Sequence, residues 1–159
     1  MRRGLKARYT ILLMPQTLSC NLVHVIFSTK DRRAVIADPS ALHAYLAGTI
    51  RKLDCFCVRV GGVADHVHLA LRLPPAKSAA KVVSEVKTGS SAWMKTQGVP
   101  SFAWQRGYAI FSVSPAHAEA LVKYIDEQVT HHARRSFEDE LRVLCRKYHV
   151  DLDERYVWD

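Results

Sequence analysis

Residues 64–75 read ADHVHLALRLPP, and this stretch decides the architecture. Apolar side chains at Val67, Leu69 and Leu71 recur with a period of two, the mark of a strand with one face in a core. Pro74-Pro75 cannot extend a hydrogen-bonded ladder and stops the strand. On such a strand His66 and His68 project from the opposite face, roughly 6–7 Å apart. Two imidazoles so placed can ligate one divalent metal if one or two further ligands arrive from elsewhere. The plainer reading is a pair of solvated rings on a half-exposed sheet.

Upstream, Cys55 to Val60 is β-rich, and Gly61-Gly62 reads as the turn into the histidine strand. Before it, Asp38 or Ser40 caps a helix to about Leu53, with apolar residues at 42, 45, 46, 50 and 53 and Thr49 on the same face. NLVHVIFS, from Asn21 to Ser28, is the first strand, closed by the charged turn Lys30-Asp31-Arg32-Arg33. Downstream, Ser78 opens a second helix to about Thr96, and Tyr108–Ser114 is a fourth strand. A third helix is expected from Ala116 to His132 and a further one from Phe137 to Tyr148. The order β-α-β-β-α-β followed by helices gives an α+β, ferredoxin-like (split βαβ) antiparallel sheet with helices on one face and additional C-terminal helices. Such a sheet sets its first and third strands side by side in the centre.

With 159 residues the chain fits one domain. We divide it into a basic, disordered arm at 1–14, a catalytic domain at 15–135 and a C-terminal helical extension of the same domain at 136–159. The arm MRRGLKARYTILLM holds only a four-residue apolar core, Ile11 to Met14, too short for a secretory signal. It reads as cytoplasmic, bacterial or archaeal in type, with Met14 an alternative start. No apolar run approaches the ~20 residues that span a bilayer. The net charge of +8 favours a polyanionic partner, nucleic acid before membrane. Cys20, Cys55, Cys57 and Cys145 make no disulfide or zinc framework and read as reduced cysteines.

In the third helix Tyr124 and Gln128 stand at i and i+4, neighbours on one face, which His132 continues and His131 flanks. A tyrosine in an amphipathic helix is ordinarily core. The functional alternative has Gln128 bringing a carbonyl oxygen to a Mg²⁺ or Mn²⁺ ion while Tyr124 presents its hydroxyl to phosphorus. The two histidines rank second, as ligands or phosphate contacts. Phenolate leaves more readily than an alkoxide, so a phosphotyrosine link can be reversed by a later 3′-hydroxyl, which cutting and rejoining requires. Two other His-x-His chemistries fall: a histidine-triad hydrolase needs a third histidine at position 70, which is alanine, and the two-histidine phosphoesterases use His-x-Ser/Thr.

DHVHLALRLPP, LVKYIDEQ and the intervening WQRGYAIFSVSP resemble the HUH single-tyrosine transposases, including those associated with repetitive extragenic palindromes. LVHVIFSTKDRR and KVVSEVKTGSSAWMK resemble the same family, so the likeness runs from about Asn21 to His132. It implies His66, His68 and Gln128 as metal ligands and Tyr124 as nucleophile. It further implies a homodimer that acts on single-stranded DNA at the hairpin ends of a mobile element, often with the tyrosine helix exchanged between subunits. The arm before Met14 and the helical tail after Phe137 depart from the family's minimal form.

Expected DNA contacts are Lys30, Arg32 and Arg33 after the first strand, and Lys77, Lys81, Lys87, Thr88, Ser90, Ser91 and Lys95 along the second helix. Trp93 and Trp104 are candidates to stack on unpaired bases, or else core. The rival readings are a non-catalytic DNA-binding relative and a metal-dependent nuclease that uses water. Tyr108 is the next candidate nucleophile.

Overall fold

The computed structural model describes residues 18–133 and 135–158. The basic arm at 1–14 and the alternative start at Met14 lie outside the described residues. Four antiparallel strands form one sheet in the order β2-β3-β1-β4: β1 (Asn21–Ser28), β2 (Phe56–Gly62), β3 (His66–Leu73) and β4 (Ala109–Ser112). The first and third strands pair in the centre, Ile26 opposite His68 and Ser28 opposite His66, as the ferredoxin-like reading requires.

Strand alternation splits the sheet into two chemically different faces. Val23, Val25 and Phe27 of β1 and Val67, Leu69 and Leu71 of β3 pack beneath α1 (Pro39–Lys52) and α2 (Ala79–Thr96). Asp38 caps α1, accepting from the Ala41 amide at 3.0 Å, and Ser78 caps α2, accepting from Lys81 at 3.3 Å. The other face carries Leu22, His24, Ile26, His66, His68 and Ala70, all buried. Its cover is α3 (Ala118–Asp126), α4 (Gln128–His132) and α5 (Phe137–Lys147), with α6 (Glu154–Val157) at the end. The C-terminal helices therefore roof the histidine face, and a half-exposed pair of rings does not occur.

Two boundaries differ from the sequence expectation. Gly61 and Gly62 belong to β2, and the turn is Val63–Asp65. A Cβ on Gly61 would lie 2.5 Å from Ile125 Cγ2 and 2.8 Å from the Ile125 carbonyl, so the bare backbone lets α3 lie directly on the strand. The expected third helix is broken at Glu127 (φ −89°, ψ 10°), which divides α3 from α4. No described helix is long and apolar enough to cross a membrane.

Candidate active site

β3 holds His66 and His68 in the middle of the sheet, where neither has any solvent exposure. A buried imidazole must be hydrogen-bonded or it costs free energy. For each ring the Nδ1 atom is satisfied by protein. His66 Nδ1 meets Asp65 Oδ1 at 2.6 Å, and His68 Nδ1 meets His24 Nε2 at 2.9 Å. With the ring protons on Nδ1, both Nε2 lone pairs are directed to the same spot under the helical roof. His68 Nε2 is buried there without a hydrogen-bond partner. This is the arrangement by which outer groups orient metal-binding imidazoles.

The roof brings the remaining side chains to that spot. Gln128 opens α4, where its Oε1 lies 3.3 Å from His66 Nε2 and its Nε2 donates to Glu140 Oε1 at 3.0 Å. Two acceptor lone pairs facing each other at that distance suit a cation. Glu140 comes from α5, on the stripe Phe137, Leu141, Leu144 and Cys145 that packs into the sheet. Its Oε2 lies 2.8 Å from His132 Nε2, 3.6 Å from His68 Nε2 and 3.9 Å from His66 Nε2. Its Oε1 accepts the Tyr124 hydroxyl. The ligand atoms of His66, His68, His132 and Glu140 all lie within 4.8 Å of one another, a set of imidazole and carboxylate donors able to hold a divalent metal ion. All of these side chains belong to one chain.

The electrostatics follow from burial and this one carboxylate. Burial drives His68 down to about 4, against the pull of Glu140, and drives His24 down to about 3 with help from His68. Burial alone would push Glu140 up, but the bond from His132, the neighbouring His68 ring and the bond from Tyr124 hold it well below the usual carboxylate range. For His132 burial works downward and the Glu140 carboxylate outweighs it, so its net shift is upward. Burial, then the negative charge of Glu140, hold the Tyr124 phenol well above its ordinary value of 10. Tyr124 is thus kept protonated until the charge beside it changes.

Of the expected site residues, His66, His68, Tyr124 and Gln128 converge, with the outlying candidate His132. His131 turns to the surface, its ring centroid 5.3 Å from that of Tyr124. His24, Asp65 and Glu140 join them unforeseen. The hint for Glu140 is a carboxylate interrupting an otherwise apolar helical stripe; the hint for His24 is its place on the β1 face shared with Leu22 and Ile26. Tyr108 lines cavities away from the histidine cluster.

The expected DNA contacts divide. Lys95, Ser91 and Thr88 line an open groove of about 650 Å³ between α2 and residues 102–108, together with Ser84 and Arg106. Lys87 lines it too, but its ammonium donates to the carbonyls of Gln105, Arg106 and Gly107 at 2.7, 3.0 and 2.9 Å. Ser90 is buried, donating to the Val86 carbonyl and accepting from Trp104 Nε1, so both Ser90 and Trp104 are core and not DNA contacts. Trp93 stacks on Tyr45. Arg32 pairs with Glu138, Lys77 with Asp54 and Lys81 with Glu85, whereas Lys30 and Arg33 are exposed. The four cysteines are free.

The ferredoxin-like sheet thus presents paired histidines on its central strand to a tyrosine on the helix above it. The sequence agrees: residues 17–128 match the family described as "Transposase IS200 like", about seven-tenths of the chain, and the protein belongs to that family. The match ends at Gln128, so His132 and Glu140 lie beyond it. No curated protein matches. Among solved structures, a candidate transposase from Deinococcus radiodurans R1 is 22% identical with a TM-score of 0.57, over 80% of this chain and 98% of that one. A REP-associated tyrosine transposase bound to a REP hairpin is 14% identical with a TM-score of 0.57, over 75% of this chain and 72% of that one. At these identities the likeness speaks for the fold.

Proposed function

We propose that this protein is a DNA strand transferase that cuts and rejoins single-stranded DNA through a 5′-phosphotyrosine link at Tyr124. The observation that carries the reading is the direct bond from the Tyr124 hydroxyl to Glu140, the carboxylate on which Gln128 and His132 also converge beside His66 and His68. The phenol oxygen attacks the phosphorus, forming a Tyr–O–P bond and releasing a 3′-hydroxyl; a later 3′-hydroxyl attacks the same phosphorus and frees Tyr124. Tyr124 loses its proton as it attacks, its hydroxyl held in place by the bond it donates to Glu140. His66, His68 and Gln128, joined by Glu140 and His132, would hold a divalent ion such as Mg²⁺ or Mn²⁺. Such an ion, when bound, withdraws charge from a non-bridging phosphate oxygen and steadies the leaving oxygen.

Family membership and the hairpin-bound structural neighbour support DNA with hairpin ends as the substrate; single strands, a homodimer and the cytoplasm are part of the proposal. Lys30, Arg33, Lys95, Thr88 and Ser91 are the exposed or groove-lining groups that suit phosphates and sugars. The test is denaturing electrophoresis of labelled single-stranded DNA incubated with protein and Mg²⁺ or Mn²⁺. A protease-sensitive shifted band forms with the parent and is lost in Tyr124→Phe, which stays folded and still binds DNA. Cleavage without a band makes the protein a nuclease that uses water. Binding with neither makes it a non-catalytic relative.

A further inference from the structure

The Tyr124 ring lies between two cavities, and only one suits the phosphate it would attack. The first, about 440 Å³, is lined by His24, Ser112, Ser114, His117, Lys147 and Tyr148. The second, about 380 Å³, is lined by Thr130, His131, His132, Arg135 and Glu140. The tyrosine hydroxyl decides between them: it donates to Glu140, and Glu140 lines the second cavity and not the first. A phosphorus atom in line with that hydroxyl therefore enters from the side of Thr130–Arg135.

The floor of this cavity bears a buried carboxylate, which repels a phosphodiester. An anion settles there only if cationic donors flank it. Among the described residues Arg135 is the one guanidinium lining the cavity, exposed in the short connection between α4 and α5. Its positive charge reaches the Tyr124 phenol and counters that of Glu140. His131 is on the rim as well, but its Nε2 is 3.6 Å from Glu127 Oε2 and is shared with it. Thr130 adds a hydroxyl. A guanidinium has the fork that matches two phosphate oxygens at once.

We propose that Arg135, with Thr130 and His131 beside it, is the seat of the scissile phosphodiester of a single DNA strand. This rests on Tyr124 as the nucleophile, and it lies outside the residues that match the family. Arg135 grips the two non-bridging oxygens on the open side, leaving the face toward Tyr124 free for attack. Thr130 bonds an oxygen or the adjoining sugar.

The experiment is a binding cycle. Single-stranded oligonucleotides are made with one neutral methylphosphonate at each successive position. Each is titrated by fluorescence anisotropy against the parent protein and Arg135→Ala, with Mg²⁺ present. Arg135→Ala should melt at the parent temperature, since the side chain is exposed. The expected result is one position at which neutralisation weakens parent binding about fivefold to tenfold and weakens Arg135→Ala binding no further. Elsewhere the two losses multiply. That position should also be the junction at which the parent forms its covalent link, and Arg135→Lys should recover part of the loss. Multiplying losses at every position, with the link still forming, would overturn the seat while the transferase reading stands. Coupling at one position without any link would leave Arg135 a phosphate contact but overturn it as the scissile seat, together with Tyr124 as nucleophile. Coupling at a position other than the junction, or at none with no link, would also overturn the seat.

Discussion

Lowering the pH from 7 to 5 in the absence of metal should destabilise the protein through His24. In the unfolded chain His24 binds its proton around the ordinary value of 6.5, whereas burial and His68 bring it to about 3 in the folded protein. Between those values only the unfolded state carries the proton. Stability therefore declines as the pH falls through 6.5 and goes on declining to about 3. At pH 5 the solution is about 1.5 pH units below the unfolded value, and at ~1.4 kcal/mol per unit the loss from His24 is about 2 kcal/mol. His68, brought to about 4, works in the same direction, while His132, shifted upward, works against both. His24→Gln isolates the one contribution, because a glutamine amide can reach the His68 ring but does not titrate. Urea unfolding at pH 7 and pH 5 with EDTA should show the parent losing about 2 kcal/mol more than His24→Gln across that interval. Equal losses in the two proteins would refute the reasoning and place the acid sensitivity elsewhere.

Two further predictions concern the roof and the metal. Gly61→Ala places a methyl group against the Ile125 carbonyl, which cannot move without lifting α3. It should cost about 1–3 kcal/mol in urea unfolding and slow covalent-link formation by Tyr124; an unchanged unfolding midpoint would contradict the close approach. Mn²⁺ at about a hundred times its dissociation constant should stabilise the parent by about 2.7 kcal/mol in thermal melts, and should do so in neither His66→Ala nor His68→Ala. Gln128→Ala should need more Mn²⁺ for the same shift, and an equal response from all four proteins would mean that the ion binds elsewhere.

Much of this fold is legible in the sequence because its signals are local. His66–Leu73 alternates cleanly and ends at a double proline, and Asp38 and Ser78 cap α1 and α2 with their own side chains. The pairing of His66 with His68 and of Tyr124 with Gln128 follows from the two periods, 2 and 3.6, and needs no tertiary knowledge. What is missed depends on contacts distant in the chain. Gly61-Gly62 has the composition of a turn, but Gly61 answers to Ile125, some sixty residues away. Ser90 has the look of a surface hydroxyl, and Trp104 turns it into a core acceptor. Lys87 looks free until residues 105–107 fold their carbonyls around it. Glu140 looks like one acid among several in the first turn of α5, and only the packing of Phe137, Leu141 and Leu144 aims it inward.

That packing has a chemical consequence. Through α5 the phenol gains the anion that, after burial, raises its pKa. The negative charge of Glu140, bonded directly to the hydroxyl, disfavours the phenolate and so keeps Tyr124 protonated when it stands alone beside it. The same carboxylate, were a cation held among His66, His68 and His132, would no longer oppose ionisation of the phenol. In the proposed reaction, activation of the tyrosine and occupancy of the cluster would thus be tied through one side chain. A plain apolar residue at position 140 would pack as well against Phe137 and Leu144, but it would sever that tie.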